Sequence, residues 1–100
     1  MRAKGCLSKY DGGSINLMSA LIYRDYNSDA MVGCMLESKL GIAASLVVAN
    51  SVNNVKFTDL DGFTYLSQQP FTGGLKFENG IDELLGGKGL AVKPNGTFQL

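Results

Sequence analysis

Thr58-Asp59-Leu60-Asp61-Gly62 sets two carboxylates two residues apart ahead of a glycine, the way a calcium-binding loop opens. A complete loop needs further oxygen ligands and a glutamate at its twelfth position. Counted from Asp59, the fifth position is Phe63 and the twelfth is Pro70, so the pattern fails. Asp61-Gly62 reads instead as a tight reversal. Gly86-Gly87-Lys88-Gly89 is glycine-rich beside a lysine, but a phosphate-cradling loop needs four residues between its glycines and a Ser or Thr after the lysine. Gly89 follows Lys88, so no phosphate site is expected. Asp25, Asp29 and Glu37, with Asp11, would do acid/base work only if their loops met and their environments pushed their pKa values apart. Their spacing shows no such convergence, and solvated loop charges are the expectation. Cys34 lies between Gly33 and Met35 in an apolar run, with no histidine to activate it as a nucleophile. Asn95-Gly96-Thr97 matches a glycosylation acceptor but reads as a turn. Tyr10, Tyr23, Tyr26 and Tyr65 are candidates for an aromatic binding patch.

Composition narrows the chemistry. The 100 residues contain no histidine, which removes the commonest general acid/base and the commonest metal ligand. Nine basic residues balance nine acidic ones without a Lys or Arg cluster, so nucleic-acid binding is not expected. With 45% hydrophobic and 18% charged residues the chain is too apolar for disorder. A single domain over residues 1–100 is expected, burying roughly 60 to 65% of the surface its unfolded chain exposes. The N-terminus carries positive charge without an apolar run behind it, and no stretch of 18 uninterrupted apolar residues occurs. Neither a signal peptide nor a membrane span is therefore expected, and a cytoplasmic or virion location follows. Cys6 and Cys34 are read as reduced core thiols.

The most apolar stretch, Met31 to Val52, must be buried by any fold. Ile42, Ala44, Leu46 and Val48 fall on one side of an extended chain, and Ala43, Ser45, Val47 and Ala49 on the other, which predicts a strand buried on both faces. Residues 2–9 predict a first strand closed by a turn at Tyr10-Asp11-Gly12-Gly13. Residues 15–24 alternate as a strand, while Ile15, Met18 and Ile22 also suit a helical stripe capped by Ser14. Arg24 to Asp29 and Asn50 to Asn54 are polar connections. Val55 to Leu60 and Phe63 to Ser67 predict a hairpin across Asp61-Gly62, a dipeptide suited to a type I′ turn. Gln68 to Gly74 reads as a loop, Leu75 to Glu78 as a strand, and Ile81 to Leu85 as a helical turn ended by Gly86 and Gly87. A last hairpin joins Leu90 to Lys93 with Thr97 to Leu100 across Pro94-Asn95-Gly96. The fold class predicted is mostly β, a single small β-sandwich or barrel built of hairpins with at most one short helix. The alternative is α+β with helices near 14–24 and 28–40.

A small histidine-free chain with many Gly, Asn and Ser turns, ending Pro-Asn-Gly-Thr-Phe-Gln-Leu, resembles small bacteriophage virion or tail proteins in texture. That resemblance implies a repeating structural subunit. Met18, Met31 and Met35 add adaptable side chains to an apolar half in which one sheet face is left to self-association. The expectation is a non-enzymatic protein-association module, a homo-oligomer or part of a larger assembly, with no cofactor, no metal and no catalytic residue. A small binding or inhibitory protein, occupying a host factor or sequestering a small ligand, is the alternative. The candidate interface or ligand loops carry Asp25, Tyr26, Asn27, Gln68, Gln69, Phe71 and Lys88.

Overall fold

The computed structural model describes residues 5–7 and 12–96, with side chains described from residue 17 onward. Three short strands, β1 (Gly5–Leu7), β2 (Ala30–Gly33) and β3 (Val55–Asp59), form one parallel sheet in the order β1-β2-β3. Helix α1 (Gly12–Asp25) carries the chain from β1 to β2, and α2 (Lys39–Ser51) carries it from β2 to β3. Crossovers between parallel strands are almost always right-handed, and two of them stepping the same way across a sheet place both helices on one face. The two helices do pack against each other. The core lies between them and the sheet: Ala30 and Val32 of β2 meet Ala20 of α1 and Ile42, Leu46 and Val48 of α2. Met31 and Gly33 point the other way and are only half-buried.

The expected β-sandwich is thereby corrected to an α/β arrangement, and the reasons are local. Residues 42–49 form part of α2, not a strand. Ile42, Ala43, Ser45, Leu46 and Val48 are all buried because the helix is covered from the sheet side and again by the C-terminal strands. A helix apolar around most of its girth lacks the one-sided stripe that betrays helices on a surface. Residues 15–24 lie in α1, and the alternative second helix near 28–40 is replaced by β2 and the loop that follows it. The turn at Tyr10-Asp11-Gly12-Gly13 is not a hairpin reversal, since Gly12 and Gly13 open α1; Tyr10 and Asp11 lie outside the described residues.

Asp61-Gly62 forms no hairpin either. β3 pairs with β2 in parallel, and Gly62–Tyr65 is a 3-10 helix. Gly62 is required by close approach, not by positive φ, because a Cβ there would collide with the carbonyl oxygen of Met35. The hairpin lies further on. β5 (Leu75–Glu78) and β6 (Ile81–Leu84) pair antiparallel across Asn79-Gly80, whose φ angles of 53° and 75° are those a type I′ turn demands. Ile81 to Leu85 is therefore mainly strand where a helical turn was expected. β4 (Phe71–Gly73) pairs antiparallel with β7 (Val92–Pro94), so β7 finds its partner upstream. Thr97 to Leu100, the second arm of the expected last hairpin, lies outside the described residues. Gly74 links the two small sheets: its N–H donates to Ala91 O at 3.0 Å, and its carbonyl accepts from Leu85 N at 3.0 Å. No helix among the described residues is long and apolar enough to cross a membrane.

Candidate functional site at the strand ends

Parallel strands gather ligand-binding groups at their C-terminal ends, where the loops into the helices begin. Here β2 runs out through Cys34 to Ser38, and β3 through Leu60 and Asp61. Glu37 is only 3% exposed and sits before Ser38, the N-cap of α2. Its carboxylate occupies the space a side chain at residue 41 would need, since a Cβ on Gly41 would meet Glu37 Oε2. Gly62 draws the two loops together, and its backbone N–H donates to the Cys34 thiol. Burial is the largest cause raising the Cys34 pKa; the Gly62 bond opposes it, and Asp59, Glu37 and Asp61 add to the rise. A thiol so surrounded stays protonated and is a poor nucleophile.

Asp59 and Asp61 line a cavity of about 260 Å³, closed on its far side by Phe77, Gly80 and Asp82 of the β5–β6 hairpin. Phe77 stacks edge-on against Phe63 of the 3-10 helix, with centroids 5.8 Å apart at 89°, which fixes the hairpin over the end of β3. Lys39 Nζ lies 5.8 Å from the other partner of that pair, the Phe63 ring. Asp82 Oδ1 is buried without a hydrogen-bond partner. Desolvation, and secondly the charge of Asp61, push the Asp82 pKa up. Three carboxylates line this cavity, and a cation placed there relieves the repulsion between Asp61 and Asp82.

At the other end of the sheet a cavity of about 320 Å³ is lined by Arg24, Asn27, Asp29, Asn54 and Lys56. Its organiser is structural. Buried Asn54 donates from Nδ2 to Ala20 O at 2.9 Å and Ser28 O at 3.1 Å, while its carbonyl accepts from Ala30 N at 2.9 Å. Its side chain thus ties α1 to the α1–β2 loop, and its backbone carbonyl holds the entry to β2.

The residues singled out from the sequence do not assemble into one site. Asp25 ends α1, and Tyr26 and Asn27 follow it at the N-terminal end of β2, with Asn27 at φ 54°. Gln68, Gln69 and Phe71 follow the 3-10 helix; Gln69 Nε2 donates to Phe63 O at 2.7 Å and the Gln69 backbone carbonyl accepts from Asn95 Nδ2 at 3.0 Å. Lys88 lies in the loop before β7, where its carbonyl accepts from Ala91 N. Asp25 and Asp29 sit at the opposite end of the parallel sheet from Glu37, and Asp11 lies outside the described residues. Tyr23 packs on the core, Tyr26 and Tyr65 are exposed, and Tyr10 is not described. Asp59 and Asp61 stand as a pair in the sequence, where their spacing before Gly62 reads as a turn. Asp82 carries no sequence signal, because only the β5–β6 hairpin brings it to them.

No protein-family profile matches the chain. Over 65 residues it is 40% identical to the L-Lys-D/L-Arg epimerase of Desulforapulum autotrophicum, and over 68 residues 31% identical to the L-Ala-D/L-Glu epimerase of Clostridium acetobutylicum. Among solved structures, the substrate-liganded L-Ala-D/L-Glu epimerase of Bacillus subtilis superposes with a TM-score of 0.76 at 30% identity, over 81% of this chain and 23% of that one. The dipeptide epimerase of Methylococcus capsulatus with Mg gives 0.79 at 31%, over 84% and 24%. A mandelate racemase/muconate lactonizing protein from Herpetosiphon aurantiacus gives 0.85 at 26%, over 93% and 27%. The chain resembles one part of a dipeptide epimerase. The two alignments cover 65 and 68% of this chain but 18 and 19% of the relatives, so it spans under a fifth of their length. These relatives are enzymes, and that overturns both the non-enzymatic association module and the inhibitory protein expected from the sequence, the virion resemblance with them. The misleading observation was the absence of histidine, which does not argue against an enzyme when carboxylates and residues elsewhere in a larger fold are available.

Proposed function

We propose that the fold this chain takes part in is an epimerase acting on dipeptides, and that this chain supplies carboxylates that hold a cationic group of the substrate. The observation carrying the proposal is the cavity at the end of β3, where Asp59 and Asp61 face Asp82. A dipeptide bears an α-ammonium group, and a Lys or Arg side chain adds a second cation. Either one suits an acidic cavity, since charge-assisted hydrogen bonds are about twice as strong as neutral ones.

Epimerisation removes the proton from an α-carbon on one face and returns a proton on the other, with the electron pair held meanwhile by the adjacent carbonyl as an enolate. Such a step needs a base and an acid on opposite faces and a stabiliser of the developing oxyanion. The ionisable groups lining the cavity are carboxylates. Their part in the proposal is to bind and orient, and the proton-moving pair is assigned to strand ends other than those of β2 and β3. Neighbouring structures from Methylococcus capsulatus and Cytophaga hutchinsonii contain Mg. The described residues bring together no group of three His, Cys, Asp or Glu side chains that would share an ion, so this cavity does not fit a metal centre.

The test replaces the aligned segment of the Bacillus subtilis epimerase with this chain and follows loss of the α-proton signal of L-Ala-L-Glu and L-Lys-L-Arg in D2O. Exchange with a KM raised about tenfold or more by Asp59→Asn or Asp61→Asn is expected, from about 1.5 to 3 kcal/mol for a hydrogen bond to a charged group. A folded chimera that exchanges neither dipeptide refutes the proposal.

A further inference from the structure

The cavity of about 320 Å³ at the N-terminal ends of β2 and β3 has no part in the proposed reaction. Every side chain lining it is polar, and its volume is that of a small-ligand site. Asn54 is 8% exposed and commits its Nδ2 donors to Ala20 O and Ser28 O, which fixes the amide plane. Its Oδ1 is then left buried with no hydrogen-bond partner among the described residues. A buried acceptor held in that state costs folding free energy until a donor reaches it. The charges around it are mixed. Arg24 near the end of α1 and Lys56 of β3 supply two cations, and half-buried Asp29 supplies a carboxylate. Arg24 reaches Asp25 only at 4.0 Å with half its side chain exposed, which leaves the guanidinium available.

We propose that this cavity binds a free α-amino acid as its zwitterion, with the carboxylate between Arg24 and Lys56 and the ammonium toward Asp29 and Asn54 Oδ1. The charge pattern disfavours simpler occupants. A simple anion such as acetate would satisfy the two cations but face the Asp29 carboxylate and bring no donor for Oδ1. A cation would meet Asp29 but lie beside Arg24 and Lys56, which repel it. A zwitterion answers both signs, and charge-assisted hydrogen bonds reward that match. An occupant so placed ties the end of α1 to the start of β3, so its binding stabilises the fold. The site lies at the opposite end of the sheet from Asp59 and Asp61 and does not rest on the dipeptide reading.

The probe is L-alanine added to the isotope-labelled chain and followed by NMR, with acetate, inorganic phosphate and methylammonium tested separately at equal concentrations. Saturable shifts of the Asn54 side-chain amide and of the Asp29 and Lys56 backbone amides are expected, with a Tm that rises as L-alanine is added. Asp29→Asn and Lys56→Gln should each weaken binding about tenfold or more, as the loss of a hydrogen bond to a charged group implies. Ile81→Ser, an exposed position on β6, should leave binding unchanged. Acetate, phosphate or methylammonium binding as tightly as L-alanine overturns the proposal. So does L-alanine that produces no saturable shift, which makes the cavity a water site only. The parent chain alone decides among these outcomes, so a variant that fails to fold does not blunt the test.

Discussion

Gly62→Ala is the substitution whose cost follows most directly from this structure. Gly62 has no positive φ, so an alanine there meets no backbone penalty. Its methyl group would land on the Met35 carbonyl oxygen, with Cys34 Sγ 3.2 Å away. The first of these contacts is with backbone and cannot swing aside, so the β2–α2 loop or the end of β3 must shift. Overpacking of this kind costs about 1 to 3 kcal/mol, and a weakened hydrogen bond to the Cys34 thiol adds about 0.5 to 1 kcal/mol. The stiffer unfolded chain returns about 0.4 to 1 kcal/mol. A net loss of about 1 to 3 kcal/mol lowers the Tm of a domain this size by about 5 to 20 °C. Thermal and urea unfolding followed by circular dichroism measure it. Gly80→Ala is the contrast: nothing lies within 4 Å of its added Cβ, and its φ of 75° sets a cost of about 1 to 2 kcal/mol by backbone strain alone. A second readout separates the two. In a Cys6→Ser background, Gly62→Ala should raise the pH at which Cys34 reacts with a disulfide reagent, and Gly80→Ala should not. A Gly62→Ala protein as stable as its parent, with unchanged Cys34 reactivity, would mean that the two loops are not in contact as described.

Asn54→Ala removes both side-chain donations to Ala20 O and Ser28 O, and a loss of about 1 to 3 kcal/mol in urea unfolding is expected. Asn54→Asp should be worse at neutral pH, where a carboxylate would face two carbonyls, and should recover as acid restores an O–H donor. For Asp82 the sign follows from linkage: its folded pKa is raised, so its favourable contribution is complete below the ordinary carboxylate value and lost as pH rises through the folded one. Asp82→Asn should therefore be more stable than the parent at pH 7, with the difference shrinking toward pH about 4. An unchanging difference across that range would remove Asp82 from the acidic cavity.

Much of what the residues say locally is true of the structure. The connection expected over Arg24 to Asp29 is found at 26–29, since α1 runs on through Arg24 and Asp25. The polar break before β3 is found at 52–54, since α2 runs on through Asn50 and Ser51, and the extended segment at Leu75 to Glu78 lies where β-propensity puts it. Asn79-Gly80 carries the I′ signature in plain view. Asp59-Leu60-Asp61-Gly62 shows its carboxylate pair just as openly.

Tertiary structure decided the rest. Period-two alternation in residues 42–49 is genuine, yet a helix enclosed by the parallel sheet and two small antiparallel sheets needs no polar stripe, so periodicity alone does not separate it from a buried strand. Two glycines mislead for the same kind of reason. Gly41 in the first turn of α2 makes room for the Glu37 carboxylate, and Gly62 makes room for the Met35 carbonyl. Each answers to a neighbour that sequence spacing does not reveal. The direction of strand pairing was likewise invisible: β3 reads as half a hairpin until α2 returns the chain to the same end of the sheet. Turn chemistry, apolar segments and the available charges are legible in the residues alone. Which of those charges meet was decided by parallel pairing and by the β5–β6 hairpin that carries Asp82 to Asp59 and Asp61, because convergence is a property of long-range packing and not of spacing along the chain.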